Sequence, residues 1–215
     1  MSRNIAMVMD LGGTKIKLGL VENGKILSVI NADAQSQNGL RERLPAIKEM
    51  MNGLLLQQSI SANEIVGMGI SIPGIVDSRQ KKILSIDNKF NDAPDIDLSA
   101  WVSETWHTEL QLENDARAAL TGEWQYGNAK DYDNVVLMTI GTGVGSSAVI
   151  EGKILRGKHY QAGVLGGHFT VNINGQKCNC GNYGCVEVEA STWNIERICK
   201  LNESYAGSAL ANELK

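Results

Sequence analysis

Proline is scarce in this chain, three among 215 residues, and no stretch rich in proline or serine marks a linker. Long apolar runs are missing too. No window reaches the roughly 18 uninterrupted apolar residues of a membrane span. The opening residues, MSRNIAMVMD, show no basic stretch followed by an apolar core, so no signal peptide is visible and the cytoplasm is the expected compartment. Positive charge is also short. Lys and Arg total 20 against 24 Asp and Glu, a net charge of −4 at pH 7, and no basic stripe carries interleaved aromatics. Nucleic-acid backbones need clustered Lys and Arg. Nucleic acid is therefore not expected as a partner, and neither is a membrane. Cysteine is sparse, four residues in all, yet three fall within GQKCNCGNYGC at 175–185.

In a reducing compartment, clustered thiols bind metal more often than they form structural disulfides. Cys178 and Cys180 are too close in sequence to pair comfortably with each other. Three thiolates leave a tetrahedral zinc one ligand short. The nearest candidate is His168, in LGGHFTVNINGQKC, able to fold back through a short hairpin. A free buried thiol cluster beside a core histidine is the bland alternative. Cys199, in ERICKL, falls at an apolar helical position and reads as core.

Hydrophobic periodicity gives a mixed α/β chain with hairpins in front. IAMVMDLGG, KIKLGLVENG and KILSVINAD read as strands, with a turn at Asn23–Gly24. Residues 39–58 carry Leu40, Leu44, Ile47, Met51, Leu54 and Leu55 on one helical face, with Pro45 in the first turns. IVGMGISI is a strand ending at Pro73–Gly74, and IVDSRQKKILS a hairpin. DLSAWVSETWH is helical; ELQLEND is a strand leading into a second helix, DARAALTGEWQYG. NVVLMTI runs into GTGVG, SSAVIEGKIL continues the pairing, and VEVEASTWNIERICKL is predicted as one closing helix.

Two segments are alike, DLGGTK at 10–15 and IGTGVG at 140–145. Each is expected to be a buried strand ending in a glycine turn with a threonine. Such turns aim backbone N–H groups at a phosphate without Cβ obstruction. Neither is a Walker loop nor a GxGxxG turn. As a pair, one per half of the chain, they suit two lobes clamping one polyphosphate. Asp10 suits a magnesium contact held through water.

ENDARAAL places Glu113, Asn114 and Asp115 where a strand meets a helix. Asn114 or Asp115 as a helix cap is the structural reading. A carboxylate there can also take the proton of a hydroxyl attacking a γ-phosphate. Neighbours can share the two tasks.

With DLGGTK, ISIPGIVD, NDAPDIDLSAW, ENDARAALTGE, IGTGVG, GH and CNCGNYGCVE in this order, the chain resembles the ROK family of sugar kinases and sugar-responsive repressors. The resemblance implies an α/β fold of the actin-like ATPase/hexokinase (ribonuclease H-like) type with two lobes. Residues 1–117 would form the N-terminal lobe and 118–215 an incomplete C-terminal lobe. It implies Asp115 as catalytic base, with Asn88, Asn114, His168 and Glu187 joining it on the sugar. Asp10, Gly12, Gly13, Thr14 and Lys15 would form the first phosphate site, and Gly141, Thr142, Gly143 and Gly145 the second. A structural zinc would sit on His168, Cys178, Cys180 and Cys185, holding His168 and Glu187 against the sugar. ATP with Mg²⁺ is the implied nucleotide, a hexose or N-acetylhexosamine 6-hydroxyl the acceptor, and a homodimer the expected assembly. The alternatives are a sugar-responsive regulator of the same family or an inactive sugar-binding remnant.

Two features depart from the family pattern. AGVLGGH places Val164 where many members carry a sugar-gripping glutamate. The family's kinases also continue into a strand and Gly-Gly turn that hold adenosine, so the chain is expected to be the N-terminal portion of a longer kinase.

Overall fold

A computed structural model describes residues 3–201. The chain divides into two compact units, Met1–Ala118 and Ala119–Lys215.

The first unit is built on a five-stranded sheet. Strands β1 (Ile5–Leu11), β2 (Lys15–Glu22) and β3 (Lys25–Asp33) form an antiparallel meander. Its second turn is Asn23–Gly24, both left-handed at φ 50° and 77°, the conformation that makes Asn-Gly a hairpin turn. Helix α1 (Leu44–Gln57) then leads to β4 (Ile65–Ile72), which lies parallel to β1. The helix starts later than its apolar pattern suggests: Leu40 is buried but sits in the preceding turn, and Pro45 occupies the first helical turn. Proline fits there because it has no N–H to leave unpaired.

A short hairpin, β5 (Ile75–Asp77) and β6 (Lys82–Ser85), follows Gly74. Helix α2 (Leu98–Trp106) is capped by Asp97, whose carboxylate accepts the Ala100 N–H at 2.9 Å. Strand β7 (Leu110–Asn114) then pairs parallel with β4, completing the order β3-β2-β1-β4-β7. The sheet buries Ile5, Met7, Met9 and Leu11 of β1 and Ile16, Leu18 and Leu20 of β2, together with α1 residues Ile47 and Met51. Because β1, β4 and β7 run parallel, the loop after β1, the Pro73–Gly74 turn and Asp115 all emerge at one edge of the sheet. Helix α3 (Asp115–Tyr126) starts there.

The second unit carries an antiparallel sheet in the order β10-β9-β8, from β8 (Val135–Ile140), β9 (Val144–Ile150) and β10 (Lys153–Ile154). The sequence suggests a buried strand for β8, but Val136, Met138 and Ile140 are 71%, 54% and 61% exposed. The strand lies at the edge of this sheet, and no described element covers that face. A 3-10 turn at Gly166–His168 precedes a loop held by bridges Thr170↔Cys185 and Lys177↔Tyr183.

The closing segment departs from the expected single helix. Helix α4 (Val186–Ala190) stops at Ser191, which is extended at φ −69°, ψ 157°, and α5 (Thr192–Leu201) starts afresh. The break has a physical cause: it frees the Thr192 N–H to reach the Gly141 carbonyl oxygen at 2.9 Å. Among the described residues, no helix is long and apolar enough to cross a membrane.

Candidate functional site

At the edge of the first sheet, Asn114 is buried and caps α3. Its amide oxygen accepts the Arg117 N–H at 3.1 Å, and its amide nitrogen donates to Gly74 O at 2.9 Å and to Asp115 Oδ1 at 3.0 Å. Asp115 Oδ1 also accepts the Ala116 N–H at 2.8 Å, and the side chain stays open to solvent. Desolvation by the surrounding protein raises the Asp115 pKa, and the Asp10 carboxylate adds to the rise. The Ala116 N–H, the Lys89 ammonium and the Asn114 amide act against it. The carboxyl nonetheless keeps contact with water, so burial and solvent act on it together.

The first glycine loop is the β1–β2 turn, closing on the pair Leu11↔Ile16. A Cβ on Gly12 would meet the Lys15 carbonyl oxygen at 2.6 Å, so that position requires glycine. Gly13 O accepts the Ser36 hydroxyl at 2.7 Å, and Thr14 O accepts the Ala34 N–H at 2.9 Å. Both anchors leave the Thr14 and Lys15 side chains exposed. Asp10 accepts the Ser71 hydroxyl at 2.9 Å and lies 3.7 Å from the Lys17 ammonium. Asn88 is exposed and left-handed at φ 59°; beside it, the Lys89 methylenes lie across Gly13, where a Cβ would stand.

The second glycine loop has the same build, a hairpin turn closing on Ile140↔Val144, with the Gly141 N–H donating to Gly143 O at 2.9 Å. Among the described residues, no acceptor takes the Thr142 or Gly143 N–H. Glu187 Oε2 accepts the Val144 N–H at 3.1 Å and lies against Gly143, so a side chain there would push that carboxylate aside. Gly145 sits in β9, opposite Thr139.

The cysteine loop brings its donors together. One ligand atom each from His168, Cys178, Cys180 and Cys185 lies within 4.8 Å of all the others. His168 Nδ1 is 3.6 Å from Cys178 Sγ, and the Cys180 and Cys185 sulfurs are 3.7 Å apart, beyond any disulfide. Gly184 at φ 61° passes so close to the Asn172 carbonyl that only glycine fits. Burial pushes the Cys178 thiol up to about 12 and raises that of Cys185. Cys180 is also desolvated, but the Asn182 N–H and hydrogen bonds from Cys178 and Cys185 bring its pKa down. Protein groups thus lower one thiol and raise the other two, whereas a divalent cation would favour the thiolate form of all three. Four converging N and S donors in a cluster of this size fit zinc.

His168 is anchored from below. The Gly166 N–H donates to Ser146 Oγ at 2.9 Å, and Gly167 packs so tightly on the Val144 carbonyl that a Cβ has no space. The metal-type cluster is thereby tied to β9, the strand that follows the second glycine loop.

A family model for the ROK family matches residues 6–211. The chain belongs to the ROK family. Among curated ROK-type relatives, a glucokinase from Thermotoga maritima is 36% identical over 198 residues, covering 92% of this chain and 60% of that protein. A xylose repressor from Bacillus subtilis is 35% identical over 143 residues, covering 66% of this chain and 36% of the repressor. Among solved structures, a ROK family glucokinase from Streptomyces griseus in complex with glucose and AMPPNP superposes with a TM-score of 0.76 at 28% identity. That match covers 95% of this chain and 62% of the glucokinase. The ROK chain thus has the actin-like hexokinase fold, and it spans about three-fifths of the length of its first curated relative.

Two residues at these loops escaped the sequence reading. Lys89 follows Asn88 with no motif to mark it. Thr192 follows the EAS segment, and its position depends on a helix break that apolar periodicity does not reveal.

Proposed function

We propose that the chain is the base-bearing and phosphate-loop portion of an ATP-dependent sugar kinase acting on a hexose or N-acetylhexosamine. The observation that carries this reading is the division of labour at 114–115. Asn114 takes over helix capping, so Asp115 presents a solvent-open carboxylate of raised basicity at the edge where the first glycine loop also emerges.

The first unit contributes Asp115, Asn88 and the loop from Gly12 to Lys15. Asp115 accepts the proton of the sugar 6-hydroxyl as its oxygen attacks the γ-phosphorus of ATP, and ADP departs with the β–γ bridging oxygen. The Asp115 pKa is raised by desolvation and by Asp10, the direction that strengthens a carboxylate as a base. The Thr14 hydroxyl and the Lys15 ammonium are both exposed, which supports their assignment to phosphate oxygens. Asp10 would offer a contact through water to Mg²⁺ bound with the nucleotide, which would screen the phosphate charge. Asn114 has committed both amide hydrogens to the protein, so its contact with sugar is confined to its oxygen, and its larger task is to orient Asp115.

The second unit contributes the Thr142 and Gly143 N–H groups to phosphate, and His168 and Glu187 to sugar. With His168 Nδ1 turned to the thiols, Nε2 is the nitrogen left for a sugar hydroxyl. Glu187 keeps Oε1 for the same purpose, since Oε2 holds Val144. Zinc on His168, Cys178, Cys180 and Cys185 would be structural: four protein ligands close the shell and leave no position for a reacting water. Val164 offers no carboxylate where many family members carry a sugar-gripping glutamate, so that hydroxyl contact is lost or supplied elsewhere.

A coupled assay of ATP consumption across hexoses and N-acetylhexosamines tests this reading on the whole protein that carries the chain. Sugar-dependent turnover that disappears in Asp115→Asn supports it. Absence of sugar-dependent turnover with every sugar refutes it. The likeness to the xylose repressor favours one second reading, a sugar-responsive regulator. Sugar-sensitive retardation of DNA in a mobility-shift assay would select it instead.

A further inference from the structure

The second glycine loop is held at both ends by one short segment of chain. At its start, Gly141 O accepts two hydrogen bonds from Thr192, one from the backbone N–H at 2.9 Å and one from Oγ1 at 3.0 Å. At its end, the Val144 N–H donates to Glu187 Oε2 at 3.1 Å. The two anchors lie five positions apart, on either side of the break at Ser191, and that break is what allows both to face the same loop. A continuous helix would have spent the Thr192 N–H on an i−4 carbonyl.

The loop needs this support. Within the turn, the Gly141 N–H donates to Gly143 O, and residues 141 and 143 are glycines with maximal backbone freedom. A loop that must present the Thr142 and Gly143 N–H groups to an anion gains affinity when those groups are ordered beforehand. We propose that Thr192 and Glu187 form a two-point clamp that positions the second glycine loop for the phosphates of a nucleotide. Thr192 is the new member; it is a positioning residue, acting through Gly141 rather than on the substrate. The clamp also gives Glu187 a double task. One carboxylate oxygen fixes the phosphate loop and the other faces the sugar, so occupancy of the sugar site and order in the loop are joined through a single side chain.

The inference rests on reading 141–145 as a phosphate loop. Thr192→Val is close to isosteric, keeps the backbone N–H bond and removes only the hydroxyl. Titration of MgATP into the whole protein by calorimetry is expected to show affinity roughly tenfold weaker for Thr192→Val, the scale of one lost ordering hydrogen bond. Zinc content should be unchanged, and Thr192→Ser should restore MgATP binding. A clamp without function in nucleotide binding would leave MgATP affinity as in the wild type, and that result overturns the proposal. If Thr192→Val melts early, Thr192→Ala compared with Thr192→Ser answers the same question at low temperature, and equal affinity of the two again overturns it. Wild-type protein that binds sugar but no MgATP refutes the underlying phosphate-loop reading, a failure distinguishable from that of the clamp.

Discussion

Asn114 donates to Asp115 Oδ1 at 3.0 Å while its own amide oxygen accepts the Arg117 N–H at 3.1 Å. One side chain thus caps the helix and fixes the orientation of its neighbour's carboxylate. Substituting Asn114 therefore disturbs two things at once, whereas substituting Asp115 spares the cap.

Asp115→Asn separates chemistry from binding. In the whole protein it should lower phosphoryl transfer by about 10²–10⁴, the usual weight of a general base. Sugar affinity should stay within about tenfold, because an amide still bonds hydroxyl groups. Steady-state kinetics and sugar titration check this. Near-normal turnover would leave Asp115 as no more than a residue of the first helical turn.

The same substitution has a consequence for stability. Desolvation and Asp10 raise the folded-state pKa of Asp115, so the folded chain holds that proton more tightly than the unfolded chain. The group's stabilising contribution is then full below the unfolded value of about 3.9 and is lost as pH rises through the folded value. Asp115→Asn should match or exceed the melting temperature of the wild type at pH 7, with the advantage vanishing in acid. Lys89→Met removes the cation that opposes the rise, so the acid limb of the rate profile should move to higher pH. Calorimetry across pH and a pH–rate series are the measurements.

Metal content is the third test. Cys180→Ser should release zinc and loosen the loop around Gly181 and Gly184, and a strong chelator should lower the melting temperature of the wild type but not of the variant. Elemental analysis of protein as purified should give one zinc per chain. Purified protein free of zinc, with the loop intact, would turn the cluster into reduced structural thiols.

Asp92 provides a test remote from the proposed chemistry. Its carboxylate accepts the Leu40 N–H at 2.6 Å and the Arg41 N–H at 2.9 Å, pinning the turn before α1. Partial burial pushes its pKa up, but these two backbone donors outweigh that and hold it below the ordinary aspartate value. Its contribution is therefore present above the unfolded pKa and lost as pH falls through the lower folded one. Asp92→Asn should cost about 1 kcal/mol at neutral pH, the usual weight of such a cap. Variant and wild type should converge in strong acid, as denaturant titrations at two pH values would reveal.

Much of this architecture was legible because its signals are local. The Asn23–Gly24 turn, the apolar face of α1 and the Pro73–Gly74 stop each depend on residues adjacent in sequence. The cysteine cluster could also be read, since three of its four donors lie within eight positions and His168 was the nearest fourth. The helix break at Ser191 could not be foreseen. VEVEASTWNIERICKL has an unbroken helical pattern, and the force that interrupts it is a bond to Gly141, fifty-one positions away. Lys89 was hidden for the same reason: its place over Gly13 comes from the packing of the segment after β6, with Phe90 buried and its N–H donating to Ser36 O. The exposure of β8 was missed because an apolar run reads as buried whether or not anything lies over it.

Among the described residues, nothing covers the outer face of β8, and that bears on self-association. Val136, Met138 and Ile140 form an oily stripe at a sheet margin, where unpaired strand edges recruit further strands. Colloidal stability should thus be sensitive to this stripe. Cloud points should fall with rising ionic strength, since salt strengthens contact between apolar faces while weakening repulsion from the modest net charge. Met138→Lys, which puts a charge on that stripe, should therefore raise the cloud point at a given salt concentration.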